Sequence, residues 1–189
     1  MNQWILLTAC RQNKIWQEMG FPPLRVAVNL SPQQFFHPEL VRLVQHVLDV
    51  TGLEPQWLDL EITEEAIMED VAGACHILRQ LRFLGVTIAI DDFGTGYSCL
   101  STLQQLPLQT IKIDRSYVQN LTQRSETTMV AAIISLARSF NLRVVAEGVE
   151  TRQQLAALQK LNCLEMQGYQ LFRPLEVDQI TLVLSRLSD

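Results

Sequence analysis

Five polar residues stand near the carboxyl ends of five apolar segments of this chain. Side chains alternate along a strand, and each of these residues has the opposite parity to the apolar positions of its own segment, as Lys112 has to Ile111 and Ile113. Amide, carboxylate and ammonium groups from separate strands are therefore directed toward one axis. The five residues are Asn29, Glu61, Asp91, Lys112 and Glu147.

The carboxylates of this set, together with Asp92, must tolerate one another's charge. At an effective dielectric of about 20, two like charges about 4 Å apart repel by roughly 4 kcal/mol. A cation among Glu61, Asp91, Asp92 and Glu147 would remove this cost, and all-oxygen ligands favour Mg²⁺ or Mn²⁺ over zinc. No metal-ligand spacing links the histidines, which indicates surface or packing positions for His37, His46 and His76.

Single members of the set also have simpler explanations. An aspartate after a strand is often a helix cap, which would suit Asp92 and Asp114, and Lys112 could merely neutralise Asp59 inside a barrel. The loop over 91–98 holds two glycines and could be no more than a tight turn. All five strands nevertheless carry an inward-facing polar residue near the carboxyl end. This shared feature favours one common site, at the rim where the active sites of barrel enzymes lie.

The strand-like and helical segments that must position these residues alternate along the chain. This alternation predicts an α/β domain with a parallel sheet. A (β/α)8 barrel uses about 250 residues, or roughly 31 per unit, so the 189 residues of this chain correspond to about six units. We therefore expect one incomplete TIM-like (β/α) barrel over 1–189, about two units short of closure, whose open edges either recruit a partner or leave it marginally stable. Strands are predicted at 25–30, 58–62, 86–90, 110–113, 143–147 and 166–169, with helices at 4–16, 40–50, 72–84, 128–140 and 153–161.

Composition narrows the class of protein. Hydrophobic residues make up 48% and charged residues 19%, and 15 basic against 20 acidic residues give a net charge of -5, which disfavours DNA or RNA as a partner. No run reaches the roughly 18 apolar residues of a membrane span. Leu7–Cys10 resembles a lipoprotein cleavage site but lacks a basic segment before it. Four cysteines without a CxxC pair indicate reduced thiols and a cytoplasmic setting.

Six motifs, in order along essentially the whole chain, resemble the EAL-domain family. Members of this family are bacterial TIM-like barrels that hydrolyse cyclic di-GMP to linear pGpG with Mg²⁺ or Mn²⁺. The motifs are Val28-Asn29-Leu30-Ser31-Pro32, Leu60-Glu61-Ile62-Thr63-Glu64, Asp91-Asp92-Phe93-Gly94-Thr95-Gly96-Tyr97-Ser98, Ile111-Lys112-Ile113-Asp114-Arg115-Ser116, Ala146-Glu147-Gly148-Val149-Glu150-Thr151 and Gln167-Gly168-Tyr169.

The resemblance implies a role for each matching position, and a homodimer. Lys112 would position or help activate the attacking water, and Glu147 would serve as general base. Gln167 would support the water and metal network, and Glu64 would hold the loop after Asp92 in its working shape. The site for two Mg²⁺ or Mn²⁺ ions would consist of Asn29, Glu61, Asp91, Asp92 and Glu147.

The sequence departs from the family in one main respect, because the Glu-Ala-Leu tripeptide that names the family is absent. In the family its glutamate is a metal ligand of the first two barrel units, so we expect that the chain starts late and lacks those strands. Cys99 and 170–172 are minor departures. Two hypotheses stay open: a cyclic di-GMP phosphodiesterase, and a non-catalytic module that binds the nucleotide or a protein. The loop over 91–98 argues against an unrelated barrel such as an enolase-like lyase.

Overall fold

The computed structural model describes residues 3–96, 100–121 and 124–188. In these ranges six strands form one sheet, in the order in which they follow along the chain, and the pairs from the third to the sixth strand are parallel. Sequential neighbours joined by helices are the topology of a (β/α) barrel, so the predicted fold class is confirmed. The strands are β1 (Val26–Leu30), β2 (Leu58–Thr63), β3 (Thr87–Phe93), β4 (Thr110–Ile113), β5 (Arg143–Ala146) and β6 (Glu165–Met166).

The helices between the strands begin where the sequence provides capping residues. Ser31 and Thr151 each form a capping box with the glutamine three residues later, Gln34 and Gln154, which satisfies otherwise orphaned N–H groups. Gly52 ends its helix in the left-handed conformation, with φ of 66°, as glycine does without a Cβ penalty. The helices are α1 (Gln3–Glu18), α2 (Pro32–Phe35), α3 (Leu40–Thr51), α4 (Glu64–Glu69), α5 (Val71–Phe83), α6 (Leu100–Gln105), α7 (Arg115–Gln119), α8 (Arg124–Ser139), α9 (Arg152–Lys160) and α10 (Val177–Ser188).

Two compact units make up the described chain, and the prediction of a single domain over 1–189 stays a prediction. The first comprises residues up to Glu61, Ala72–Ile88 and those from Pro174, and the second comprises Ile62–Val71 and Ala89–Arg173. In the first unit, helices α1 and α3 pack with β1 over a fully buried interior. In the second unit, the alternate apolar side chains of β4, Ile111 and Ile113, are fully buried.

The predicted sixth strand requires a correction. It covers Glu165–Met166 rather than 166–169, because the chain leaves the sheet where Gly168 meets the backbone of Val149. A Cβ on Gly168 would lie 2.3 Å from the backbone N and O of Val149. Glycine is required at this close approach.

The cysteines and the helices bear on disulfide bonding and on membrane crossing. Within the described ranges Cys10, Cys75 and Cys163 are buried and free of disulfides, whereas Cys99 lies outside them. Among the helices described here, none has both the length and the apolar character that a bilayer crossing requires.

Candidate active site

A β-bulge between β3 and β4 brings two consecutive aspartates to the same place. Ile90 pairs with Ile111 and Phe93 pairs with Ile113, so that Asp91 and Asp92 together stand opposite the single residue Lys112. A bulge interrupts the alternation of side chains and re-aims one of them. Strict alternation would place Asp92 on the opposite face of the sheet from Asp91. Because of the bulge, the two side chains lie on the same face.

Three carboxylates converge at this bulge. One oxygen from each of Asp91, Asp92 and Glu147 lies within 4.8 Å of the other two. Glu147 directly follows β5, and its backbone N–H donates to the carbonyl of Ile113 at 3.2 Å. The sheet hydrogen bonding of β4 and β5 therefore extends to Glu147 and fixes its place beside the bulge.

Lys112 supplies the positive charge at the centre of the cluster. Its Nζ lies 2.6 Å from Oε1 of Glu147 and 3.3 Å from Oδ1 of Asp91, and only 5% of its side chain is exposed. A buried ammonium of this kind needs carboxylate partners, since an unpaired buried charge is strongly destabilising. Lys112 thus orients two carboxylates while leaving the cluster with excess negative charge.

The carboxyl groups show the electrostatic cost of this convergence. Burial raises the pKa of Glu147, and the charges of Asp91 and Asp92 raise it further, against the opposing effect of Lys112. Burial also raises the pKa of Asp92, as do the charges of Asp91 and Asp114. Both directions mean that the ionised forms are disfavoured in the protein alone and would be favoured by a bound cation.

Asp114 combines a helix-cap role with a contact to the cluster. Its carboxylate caps α7 by accepting from the backbone N–H of Ser116 at 3.0 Å, and its side chain is also hydrogen-bonded to that of Asp92. Burial alone would raise the pKa of Asp114, but hydrogen bonds from Ser116 and Asp92 bring it below its usual value. The cap explanation therefore fits Asp114, which also steadies Asp92.

Glu64, the first residue of α4, contacts the loop that follows Asp92. It is only 1% exposed, and its Oε2 accepts from the backbone N–H of Gly94 at 2.8 Å. A Cβ on Gly96 would lie 2.7 Å from Oε1 of the same carboxylate. The loop thus lies directly on the Glu64 side chain. Tyr97 and Ser98, which complete the predicted motif, lie outside the described residues.

Gln167 reaches the same region through its backbone. Its N–H donates to the carbonyl of Ala146 at 2.8 Å, and its carbonyl accepts from the N–H of Val149 at 3.0 Å. These two bonds bracket the turn that carries Glu147. The exposed side chain of Gln167 is predicted from the sequence to support the metal and water network, and that role stays a prediction.

Asn29 and Glu61 belong to the other compact unit. Asn29 is an exposed residue of β1, and Glu61 is 7% exposed on β2. Each stands near the carboxyl end of its strand, as predicted. Their assignment as metal ligands stays a prediction, whereas Asp91, Asp92, Lys112 and Glu147 lie together within one unit.

Sequence reasoning missed one residue of this region, Tyr117. Its hydroxyl donates to the backbone carbonyl of Gly94, beside the bond that Gly94 makes with Glu64. No charge or spacing marks Tyr117 in the sequence, because its partner is a carbonyl that any residue would provide. Only its position three residues after the cap Asp114 offers a signal, since that spacing places both on the first turn of α7.

The chain is similar in sequence to a known family and to known proteins. The family model described as EAL domain matches residues 1–174. The chain is 44% identical over 181 residues to the "Bifunctional diguanylate cyclase/cyclic di-GMP phosphodiesterase MucR" of Pseudomonas aeruginosa. This alignment covers 95% of this chain and 26% of that protein. It is 43% identical over 176 residues to "Cyclic di-GMP phosphodiesterase NbdA" of the same organism, covering 93% of this chain and 22% of that protein. The chain thus spans about a quarter of the length of these relatives.

Solved structures show the same similarity. The Pseudomonas aeruginosa MucR phosphodiesterase in complex with c-di-GMP matches with a TM-score of 0.91 and 45% identity, over 94% of this chain and 72% of that one. The EAL domain of Mycobacterium smegmatis DcpA matches with a TM-score of 0.93 and 37% identity, over 98% and 84% respectively.

Proposed function

This chain belongs to the EAL-domain family, and we propose that it hydrolyses cyclic di-GMP to linear pGpG in a reaction that depends on Mg²⁺ or Mn²⁺. The observation that carries this proposal is the cluster of Asp91, Asp92 and Glu147, whose oxygens lie within 4.8 Å of one another, around the buried ammonium of Lys112. Two relatives that are 44% and 43% identical carry the name of cyclic di-GMP phosphodiesterase, which supports the choice of substrate.

The residues of the cluster fit a hard divalent cation. They offer carboxylate oxygens alone, which Mg²⁺ and Mn²⁺ prefer. Burial, and after it the charges of neighbouring carboxylates, raise the pKa values of Asp92 and Glu147, and a bound cation would favour their ionised forms. Asp91, Asp92 and Glu147 would hold the ions, two in our proposal, with Asn29 and Glu61 as further ligands predicted from the sequence. Bound ions of this kind activate water and neutralise charge that develops on phosphate oxygens.

We assign the proton transfer to Glu147, with Lys112 as the residue that orients it. Hydrolysis requires a water oxygen to bond to phosphorus while the bond from phosphorus to the 3′ oxygen breaks, which leaves a 5′-phosphate and a 3′-hydroxyl. Glu147 would accept the proton of the attacking water as the general base. Lys112, at 2.6 Å, would orient that carboxylate. The departing 3′ oxygen would take its proton from solvent.

The proposal is tested by incubating the chain with cyclic di-GMP and Mn²⁺ and separating the products by chromatography. We expect pGpG, its loss when a chelator is added and its return with excess Mn²⁺. Binding of cyclic di-GMP without turnover would indicate a nucleotide-binding module and not an enzyme. Failure of a folded chain to bind or hydrolyse the nucleotide would reject both functions.

The chain spans about a quarter of the length of its relatives. The partners and the cellular location of the whole protein therefore remain proposals. The homodimer and the cytoplasmic setting stay predictions from the sequence and the family. The cyclase activity named for one relative forms no part of the proposal.

A further inference from the structure

The loop that follows Asp92 has a backbone conformation that must be held in place. Asp92 has φ of 53° and Gly94 has φ of 100°, both in the region that residues other than glycine rarely adopt. The carbonyl of Asp92 accepts from the hydroxyl of Thr95 at 2.8 Å, which closes the turn on itself. The direction of the Asp92 carboxylate therefore depends on an unfavourable backbone angle that the surroundings must support.

Two side chains from different helices hold Gly94, at the centre of this loop. Glu64 of α4 accepts from its N–H, and Tyr117 of α7 donates to its carbonyl. The Tyr117 ring also lies against the same residue, since a Cβ on Gly94 would be 3.0 Å from its Cε2 atom. Both backbone polar groups of Gly94 are thus bound, and Tyr117 restrains it by contact as well as by hydrogen bonding.

Helix α7 meets the loop at a second point. Asp114, which caps α7, is hydrogen-bonded to the side chain of Asp92. The same helix directly follows β4, which carries Lys112. One short segment therefore contacts the Asp92 carboxylate through Asp114, contacts the backbone behind it through Tyr117, and supplies the central ammonium of the cluster.

We propose that Tyr117 is a positioning residue for the metal site, which it serves by fixing the loop at Gly94 and thereby the direction of the Asp92 carboxylate. This inference rests on the proposed function in so far as Asp92 is taken as a metal ligand. Tyr117 touches neither substrate nor metal in this account and acts only through Gly94. Its hydroxyl should therefore affect the affinity for metal more than the chemical step at saturating metal.

The test compares Tyr117→Phe with the wild-type chain by calorimetric titration of Mn²⁺, without nucleotide. The variant keeps the ring and removes one hydrogen bond, so we expect the Kd for Mn²⁺ to rise roughly 3- to 10-fold. In the hydrolysis assay the Mn²⁺ concentration for half-maximal rate should rise by the same factor, whereas kcat at saturating Mn²⁺ should stay within about two-fold of wild type.

Thr181→Val is the matched control. It removes one hydroxyl that donates to the carbonyl of Val177 and accepts from Trp16, each at 2.9 Å, on a helix outside the unit that holds the cluster. We expect this control to lower the melting temperature without changing the Kd for Mn²⁺. An unchanged Kd in Tyr117→Phe, whatever its melting temperature, would overturn the inference. If the wild-type chain bound Mn²⁺ but made no pGpG, only the proposed function would be contradicted. The comparison of the Kd values for Mn²⁺ would still decide the role of Tyr117.

Discussion

The ammonium of Lys112 lies 2.6 Å from the carboxylate of Glu147, with 5% of the lysine side chain and 19% of the glutamate side chain exposed. Lys112 lies on β4 and Glu147 directly follows the neighbouring parallel strand β5, and Oδ1 of Asp91 lies 3.3 Å from the same ammonium. The sheet therefore fixes the positions of Glu147 and Lys112, which we propose as the general base and the cation that orients it.

Glu147→Gln should abolish hydrolysis while preserving the fold. Loss of a general base typically costs about 10²- to 10⁴-fold, so we expect kcat to fall by at least about 100-fold. Asp91, whose Oδ1 lies 3.3 Å from the Lys112 ammonium, remains as a carboxylate partner of that buried charge, so the variant should stay folded with a lowered melting temperature. The measurements are pGpG formation at saturating Mn²⁺ and the melting temperature of the metal-free protein.

The control for that experiment is Glu165→Gln, at the start of β6. Glu165 is 48% exposed and lies 3.4 Å from Arg143, and surface pairs of this kind contribute about 0–1 kcal/mol. It should retain wild-type turnover. Equal turnover in Glu147→Gln and Glu165→Gln would remove Glu147 from the mechanism.

Lys112→Met should destabilise the metal-free protein and make it more dependent on added metal. Removing one partner of a buried ion pair typically costs about 3–5 kcal/mol, since Asp91 and Glu147 would then repel each other without compensation. Mn²⁺ should restore part of this loss, so the rise in melting temperature on adding Mn²⁺ should be larger in the variant than in wild type.

Arg143→Met tests whether any lost cation has this effect. Arg143 pairs with Glu165 at the surface, where 27% of its side chain is exposed, and we expect a change below about 1 kcal/mol. If Lys112→Met and Arg143→Met had the same small effect and the same response to Mn²⁺, the central role of Lys112 would be disproved.

The stabilisation by Mn²⁺ should weaken as the pH falls. Burial and neighbouring carboxylates raise the pKa of Asp92 and Glu147, so protons compete with metal at higher pH than for ordinary carboxyl groups. In the metal-free protein the same groups act in the opposite direction: their contribution to stability is present at low pH and is lost as the pH rises through their raised pKa values. Thermal melts with and without Mn²⁺ from about pH 8 down to about pH 4, near the ordinary carboxyl pKa values, measure both effects. A Mn²⁺ effect independent of pH would contradict the assignment of these ligands.

Gly168→Ala should impair both stability and turnover. The added Cβ would lie 2.3 Å from the backbone of Val149, two residues after Glu147, so the turn that carries the base must move. Gly20→Ala is the control, because φ is 88° there and nothing lies within 4 Å of the added Cβ. It should show only the conformational cost of about 1–2 kcal/mol. Urea unfolding and pGpG formation distinguish the two variants, and equal losses would mean that the close approach is unimportant.

Strand periodicity is sufficient to predict much of the fold and part of the site. Alternation places Asp91 and Lys112 on one face, and the regular spacing of strands and helices predicts six sequential βα units. Both inferences rely on local patterns that every parallel sheet of this kind must satisfy.

The remaining features depend on contacts between segments that are distant in the sequence. The bulge that turns Asp92 toward Asp91 arises from the register of β3 against β4, which no local pattern encodes. The early end of β6 follows from the approach of Gly168 to Val149. Tyr117 was missed because it binds a backbone carbonyl, and α10 (Val177–Ser188) was not predicted.

The central claim is that Asp91, Asp92 and Glu147 bind a divalent cation, and anomalous diffraction from a crystal soaked in Mn²⁺ tests it most directly. We expect an anomalous peak among these three carboxylates that disappears in Asp91→Asn combined with Asp92→Asn. A folded crystal of the wild-type chain with no peak there, or with Mn²⁺ bound only elsewhere, would contradict it.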